Sequence, residues 1–399
     1  MKEKHQNTDT QKLPVLALLA LAMTGFICIL TETIPAGLLP EISAGLNVTS
    51  SMAGQLITAY AAGSLLAAIP LTMLTSTWSR RSVLLSTVCG FLLFNTLTAF
   101  SSHIIMTLAA RFLAGASAGL AWSLLAGYAR RMVISSLQGR ALAIAMVGTP
   151  LALSLGVPAG TWMGALLGWR LTFIIMSVLS VILVGWILLA VPDYPGQSGT
   201  IKVQLRSVLR TQGVASVLGV VLAWMLAHNI LYTYIAPFIT SAGLAGSVDV
   251  VLLIFGIAAL CGIFITGRII DTHLRQAVLL SLSLFAVVAL IFGLVPLGPV
   301  LIYSGVALWG LTFGGAATLL QTALANAAGE QADVALSMNV VTWNGAIALG
   351  GLTGGFLLKQ FGTGSFPWAL LPLLLIAVTI AMRAKRGFPH TASLTGVSN

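Results

Sequence analysis

The sequence predicts an all-α membrane protein of twelve transmembrane helices arranged as two pseudo-symmetric six-helix bundles. Three observations lead there. The chain is 58% hydrophobic and only 7% charged, against about 25% charged for a soluble domain, so lipid must be the solvent for most of its surface. Apolar stretches of about 20 residues, the length that crosses a bilayer as a helix, recur along it with short connections. The second half also repeats small residues of the first half at a shift of 195 positions.

By the length rule the first six spans fall near 13–39, 52–76, 82–101, 104–128, 139–163 and 169–191. The second six fall near 213–239, 248–270, 275–295, 299–322, 335–358 and 366–384. The stretch 192–212 is the long connection, with Pro192, Asp193, Pro195, Gly196, Lys202, Arg206 and Arg210. It reads as a linker between a bundle over 1–191 and a bundle over 213–399. No cleavable signal peptide is expected, because the apolar stretch from Leu13 continues into a full span.

Basic residues fix the expected orientation. With the N-terminus inside, 16 of the 19 Lys and Arg residues lie on the cytoplasmic side, Arg170 and Lys359 lie outside, and Arg111 lies within a span. An odd number of spans breaks this pattern, so the alternation supports twelve, with both termini cytoplasmic. The net charge of +10 then belongs to helix ends at the membrane surface and does not point to nucleic acid. Cys28, Cys89 and Cys261 fall in apolar runs and read as small buried hydrophobes.

The repeat is carried by glycines. The shift of 195 places Gly115 on Gly310, Gly119 on Gly314, Gly156 on Gly351 and Gly160 on Gly355. Repeated halves around a central site are a common transporter plan. Between spans 8 and 9, "GRIIDTHLRQAVLL" holds Gly267, Asp271 and Arg275; its first-half counterpart "TMLTSTWSRRSVLL" keeps Arg80 and Arg81 but has Thr72 and Ser76 at the glycine and aspartate positions. Span 4 begins "ARFLAGASAG" and span 5 carries "LSLGVPAGTWMG".

These motifs resemble those of the major facilitator superfamily, over nearly the whole chain. With "TETIPAGLLPEI", "GWRLTF" and "LYTYIAPFI" they are similar to the drug:proton antiporter type, arabinose-efflux-like branch of sugar and drug exporters. The resemblance implies the major facilitator fold, a monomer, and a central cavity lined by spans 1, 4, 7 and 10. It implies gating by Arg80, Arg81, Gly267, Asp271 and Arg275, and by Gly156, Pro158 and Gly160 in span 5.

Glu32 and Arg111 are the only formally charged residues well inside the spans. At about 1.5 Å of rise per residue they lie roughly 12 Å and 10 Å below the same surface. Burial raises a carboxyl pKa and a nearby guanidinium lowers it, so a partner that approaches and withdraws can trade a proton for an ion pair. Two readings fit: proton coupling, or a fixed structural contact of Glu32 with Arg111 or with hydroxyls. His228, 196 residues after Glu32, is a second proton-coupling candidate, or a neutral group that bonds substrate or packs.

Candidate substrate contacts are Trp122 on the Arg111 face of span 4, then Asn229, Tyr232 and Tyr234 in span 7, Gln321 at the end of span 10, and Asn339, Trp343 and Asn344 in span 11. Buried amides need partners, which neighbouring helices or a ligand can provide. An aromatic-and-amide lining suits sugars, nucleosides or small drugs. The expected function is proton-coupled efflux of such compounds by alternating access; the alternative is a proton-independent facilitator or importer. No paired carboxylates, metal-ligand spacing or nucleotide loop appears, so neither an enzyme nor a cofactor is expected. The expected partners are a small-molecule substrate, protons and the lipid bilayer.

Overall fold

The computed structural model describes residues 13–134, 137–196 and 205–388. Lys2, Lys4, Lys12 and Lys202, used in the orientation argument, lie outside the described residues. Of Asp271 only the helical backbone is described.

Twelve helices are long and apolar enough to cross a membrane. The first six are α1 (Val15–Gly37), α2 (Ser50–Leu74), α3 (Arg80–Phe100), α4 (Ile104–Arg131), α5 (Arg140–Leu167) and α6 (Trp169–Ala190). The second six are α7 (Val214–Thr233), α8 (Val248–Ile270), α9 (Thr272–Leu294), α10 (Pro299–Ala328), α11 (Val334–Phe361) and α12 (Thr363–Arg383). No strand occurs among the described residues. The ends follow ordinary capping chemistry: Thr49 and Ser79 accept from the N–H groups of Met52 and Ser82 and so start α2 and α3.

Several helices are interrupted where the sequence gives a reason. α1 ends at Leu38 and a short helix, Leu39–Leu46, follows with Pro40 in its first turn. α5 contains a π-helical turn at Ala152–Gly156. α7 breaks at Tyr234, three residues before Pro237, which cannot donate to the turn before it. α10 breaks at Gly315, and α8 and α9 meet at a kink centred on His273.

The repeat in sequence is a repeat in packing. A Cβ on Gly115 would overlap the carbonyl of Tyr60, and one on Gly310 the carbonyl of Phe255. Gly119 meets Ser64 in the same way, and Gly314 meets Ala259. The partners are themselves related by the 195-residue shift, so α4 lies on α2 as α10 lies on α8. With little hydrophobic drive between helices in lipid, close backbone approach at small residues is what such packing rests on. Gly115 and Gly119 are therefore helix contacts.

The cysteine expectation needs correction. Cys28 is buried, but Cys89 and Cys261 are exposed. An apolar run in a membrane span does not distinguish the protein core from the lipid-facing side.

The two halves meet along α2 with α11 and α5 with α8. These seams lie in the halves of the helices away from the chain termini, a side termed here the distal face. Gly256 of α8 sits on the backbone of Leu153 and Ser154, and Leu252 sits against Gly37. The α2–α11 seam is polar. Ser51 donates to the Gly355 carbonyl at 2.8 Å, and Gln55 Nε2 donates to the Tyr234 hydroxyl at 3.1 Å and the Gly351 carbonyl at 3.3 Å. Tyr234 in turn donates to Gly351 at 2.8 Å.

The glycine contacts predict a graded stability response. Gly115→Val overpacks α4 against α2 and is expected to cost about 1–3 kcal/mol, seen as a lower thermal unfolding midpoint in detergent. Gly127→Ala on the same helix, where nothing lies within 4 Å, is expected to leave the midpoint unchanged.

Candidate functional site

Arg111 is fully buried, at 0% exposure, and lies where α1, α2, α4 and α6 converge. Its guanidinium is not hydrogen-bonded to the Glu32 carboxylate. Nη2 donates to the main-chain carbonyl of Thr31 at 2.5 Å and more weakly to that of Glu32 at 3.4 Å. Nε and Nη1 have no hydrogen-bond partner among the described residues. The ring of Tyr60 lies 4.9 Å from the guanidinium carbon and that of Phe173 lies 5.7 Å away. Both are cation–π distances. Hydrogen bonds to a charged group contribute about 1.5–3 kcal/mol each, so the carbonyls and aromatic faces together offset part of the cost of burying this charge.

The Thr31 carbonyl is held in place by its own side chain. Asn95 Nδ2 of α3 donates to the Thr31 hydroxyl at 3.1 Å, and that hydroxyl contacts the Met176 sulfur at 3.8 Å. Tyr60 donates from its hydroxyl to the Cys28 carbonyl at 2.9 Å, one turn earlier on α1. Glu32 itself is partly exposed. The predicted pair is therefore brought to one level on facing helices, with the base on the backbone of α1 and the acid free of it. Tyr60, noted in span 2 from the sequence with Gln55, completes this site with Asn95 and Phe173, which carry no charge or motif to single them out.

His228 lies in a different environment. It is 6% exposed, stacks on Phe313 with ring centroids 3.5 Å apart, and is flanked by Tyr232, Trp309 and Phe255. Its Nδ1 has no partner among the described residues. Tyr232 is 5% exposed and belongs to this aromatic cluster of α7, α8 and α10.

The remaining candidates are scattered. Asn229 and Asn344 donate to carbonyls of their own helices, at Met225 and Val340. Asn339 is 3% exposed with Oδ1 unpartnered. Trp343 packs on the large core cluster, Trp122 lies against Gly25, and Gln321 is exposed. Tyr234 is fully buried in the α2–α11 seam, where its ring fills the space left by Gly54 and Gly354. It stands apart from the other aromatics of α7 for that reason.

The motif residues at the terminal face act on chain ends. Arg275 is 7% exposed and donates to the carbonyls of Phe388 and Met382, capping the end of α12. Arg80 occupies the equivalent place in the first half: its N–H donates to the Tyr194 carbonyl, and its side chain to that of Ser76. Arg81 offers its N–H to Asp193 Oδ1 at 3.1 Å. A carboxylate from beyond α6 thus sits at the start of α3, although position 76 holds no aspartate. Slight burial raises the Asp193 carboxyl, but hydrogen bonds from the Arg81 and Tyr194 N–H groups and the Ser79 hydroxyl, with the Arg81 charge, hold it below the usual carboxylate range. Its contribution to stability is present above the unfolded carboxyl pKa and is lost as pH falls through the folded value. Gly156 and Gly160 pack on α1 at Phe26 and Ile34, Pro158 is buried, and Gly267 has nothing within 4 Å.

A bundle of twelve membrane-crossing helices, repeated as two halves and holding an arginine in its interior, is that of a membrane transporter. The sequence profile of the Major Facilitator Superfamily matches residues 21–351, and the chain belongs to that superfamily. It is similar to the inner membrane transport protein YdhP of Escherichia coli, in strains O157:H7 and K12. Each is 31% identical over 345 residues, 86% of this chain and 88% of the relative. It is also similar to the transcription regulatory protein OpdE of Pseudomonas aeruginosa, 28% identical over 378 residues, 92% of this chain and 93% of that one. The chain is therefore a transporter of this superfamily and not an enzyme.

The polar seam predicts a shift in conformation. Tyr234→Phe removes the hydroxyl that bonds Gly351 and accepts from Gln55. A bond worth ~1 kcal/mol corresponds to about a fivefold change in population. Spin labels at positions 47 and 362, both on the distal face, are expected to gain a longer-distance component in the variant; an unchanged distance distribution contradicts this role.

Proposed function

We propose that the protein is a proton-coupled exporter of small polar or amphipathic compounds, such as sugars, nucleosides or drugs, working by alternating access from the bacterial inner membrane. Both termini face the cytoplasm in this reading, and the distal seam is then the outer one. The structure is accordingly a conformation sealed toward the outside. The first and second bundles, over 1–191 and 213–399, rock about the seams, with 192–212 as the linker.

The observation that carries the reading is the position of Arg111. An intramembrane carboxylate with a permanent ion-pair partner has little reason to change protonation. Glu32 instead has its counter-charge within electrostatic reach but bonded to main chain. When Glu32 is protonated, the guanidinium is satisfied on the carbonyls of α1. When Glu32 ionises, the same guanidinium swings onto it. Protonation from the outside and release to the inside then carry substrate in the opposite sense. Intramembrane ionisable residues mark such relays by default.

The aromatic cluster around His228 and the buried amide of Asn339, whose Oδ1 has no partner among the described residues, support the second bundle as the substrate wall. It presents ring faces and neutral hydrogen-bonding groups, which suit an uncharged ring-bearing solute. His228 serves there as a hydrogen-bonding group, since its Nδ1 has no partner among the described residues.

The test uses proteoliposomes with an imposed pH gradient and a panel of radiolabelled pentoses, nucleosides and chloramphenicol. The wild type is expected to move at least one of them uphill, and Glu32→Gln to lose uphill movement while retaining exchange of solute down its own gradient. Undiminished uphill export by Glu32→Gln contradicts the coupling role.

A further inference from the structure

In an α-helix the carbonyl of residue 31 takes the N–H of residue 35. Residue 35 of α1 is a proline inside the helix, and its ring nitrogen carries no hydrogen. The Thr31 carbonyl is therefore left without its helical donor in the middle of a membrane protein. Prolines are tolerated at such depth when a neighbouring helix satisfies the freed group. Here the neighbour is α4, and the group that does so is Arg111, whose Nη2 donates to this carbonyl at 2.5 Å.

We propose that Pro35 is a positioning residue: by withholding an N–H from the Thr31 carbonyl, it creates the docking point that holds Arg111 on the backbone of α1, away from the Glu32 carboxylate, and so sets the pH at which Glu32 gives up its proton. The inference rests on the coupling role proposed for Glu32 and deepens it. The freed carbonyl competes with the carboxylate for one guanidinium. Strengthening the backbone site favours protonated Glu32, and abolishing it favours the ion pair.

The surroundings leave few other groups to do this. The titratable and charged groups within reach of Glu32 are Arg111 from α4, Cys28 from α1 itself, Tyr60 from α2 and Tyr232 from α7. α3 presents Asn95, whose amide holds the Thr31 side chain, and α6 presents the ring of Phe173. α5 presents glycines to α1 at Gly148, Gly156 and Gly160. His228 faces the aromatic rings of α8 and α10. Arg111 is the group that brings a cation, and Pro35 gives it an alternative place to bond.

The experiment needs no identified substrate. Purified protein in nanodiscs is titrated from pH 4 to 10 by infrared difference spectroscopy, and the Glu32 carboxyl stretch is assigned as the protonated-acid band missing from Glu32→Gln. Pro35→Ala returns an N–H to the Thr31 carbonyl, and the midpoint of that band is expected to fall by about one to three pH units as the guanidinium turns to the carboxylate. Lactic acid incorporated at position 35 puts an ester there, with no ring and no N–H, and is expected to keep the wild-type midpoint. Equal shifts in both variants, or a shift in neither, overturn the inference. Where Pro35→Ala does not fold, Pro35→Gly carries the same N–H and takes its place with the same expectations. A wild-type protein with no band that depends on Glu32 overturns the coupling role itself, which is a separate outcome from an unmoved Pro35 variant.

Discussion

The hydrogen bond from Arg111 to the Thr31 carbonyl is the constraint on which the interior of the first bundle depends. A guanidinium at 0% exposure cannot be left unpaired in a medium without water, and the arrangement of four helices follows from meeting that need. α1 supplies the carbonyl, α2 and α6 supply aromatic faces, and α3 fixes the residue whose carbonyl is used. In the proposed coupling role, this leaves Glu32 without a structural duty and available for protonation. On the proposed mechanism the stretch "TETIPAGLLPEI" is one device: the carboxylate at position 32 and the Thr31 carbonyl freed by the proline at 35 compete for a single base on another helix.

The second bundle repeats the helix packing of the first but not this chemistry. Gly310 and Gly314 set α10 on α8 as Gly115 and Gly119 set α4 on α2. Where the first half has a buried charge, the second has His228 stacked among Phe313, Tyr232, Trp309 and Phe255. The scaffold is duplicated and the two interiors have diverged, one toward charge and one toward ring faces. The seams divide in a similar way, with polar bonds between α2 and α11 and apolar contacts between α5 and α8.

Much of the architecture was legible in the sequence because membrane helices must satisfy their backbones internally and must be long enough to cross. The twelve spans follow from those rules, the repeat from glycines matched at a shift of 195, and the common depth of Glu32 and Arg111 from the rise of a helix, while their facing came from the resemblance to the superfamily. The partner of Arg111 was not legible, since a main-chain carbonyl has no letter in the sequence; only the missing donor at Pro35 hinted at it. Asp193 at the start of α3 was hidden by its distance along the chain from Arg81. Cys89 and Cys261 were misread because lipid and protein core select the same residues. Tyr234, grouped with the other polar residues of α7, proved to fill a seam of glycines, which its own helix could not reveal.

The central claim is that one guanidinium has two resting places governed by the protonation of Glu32. It is tested most directly by experimental structures of the protein in the same outside-sealed conformation at pH 5 and at pH 9. The account predicts Arg111 Nη2 on the Thr31 carbonyl at the lower pH, and a guanidinium nitrogen within about 4 Å of the Glu32 carboxylate at the higher. A guanidinium in the same place at both contradicts it.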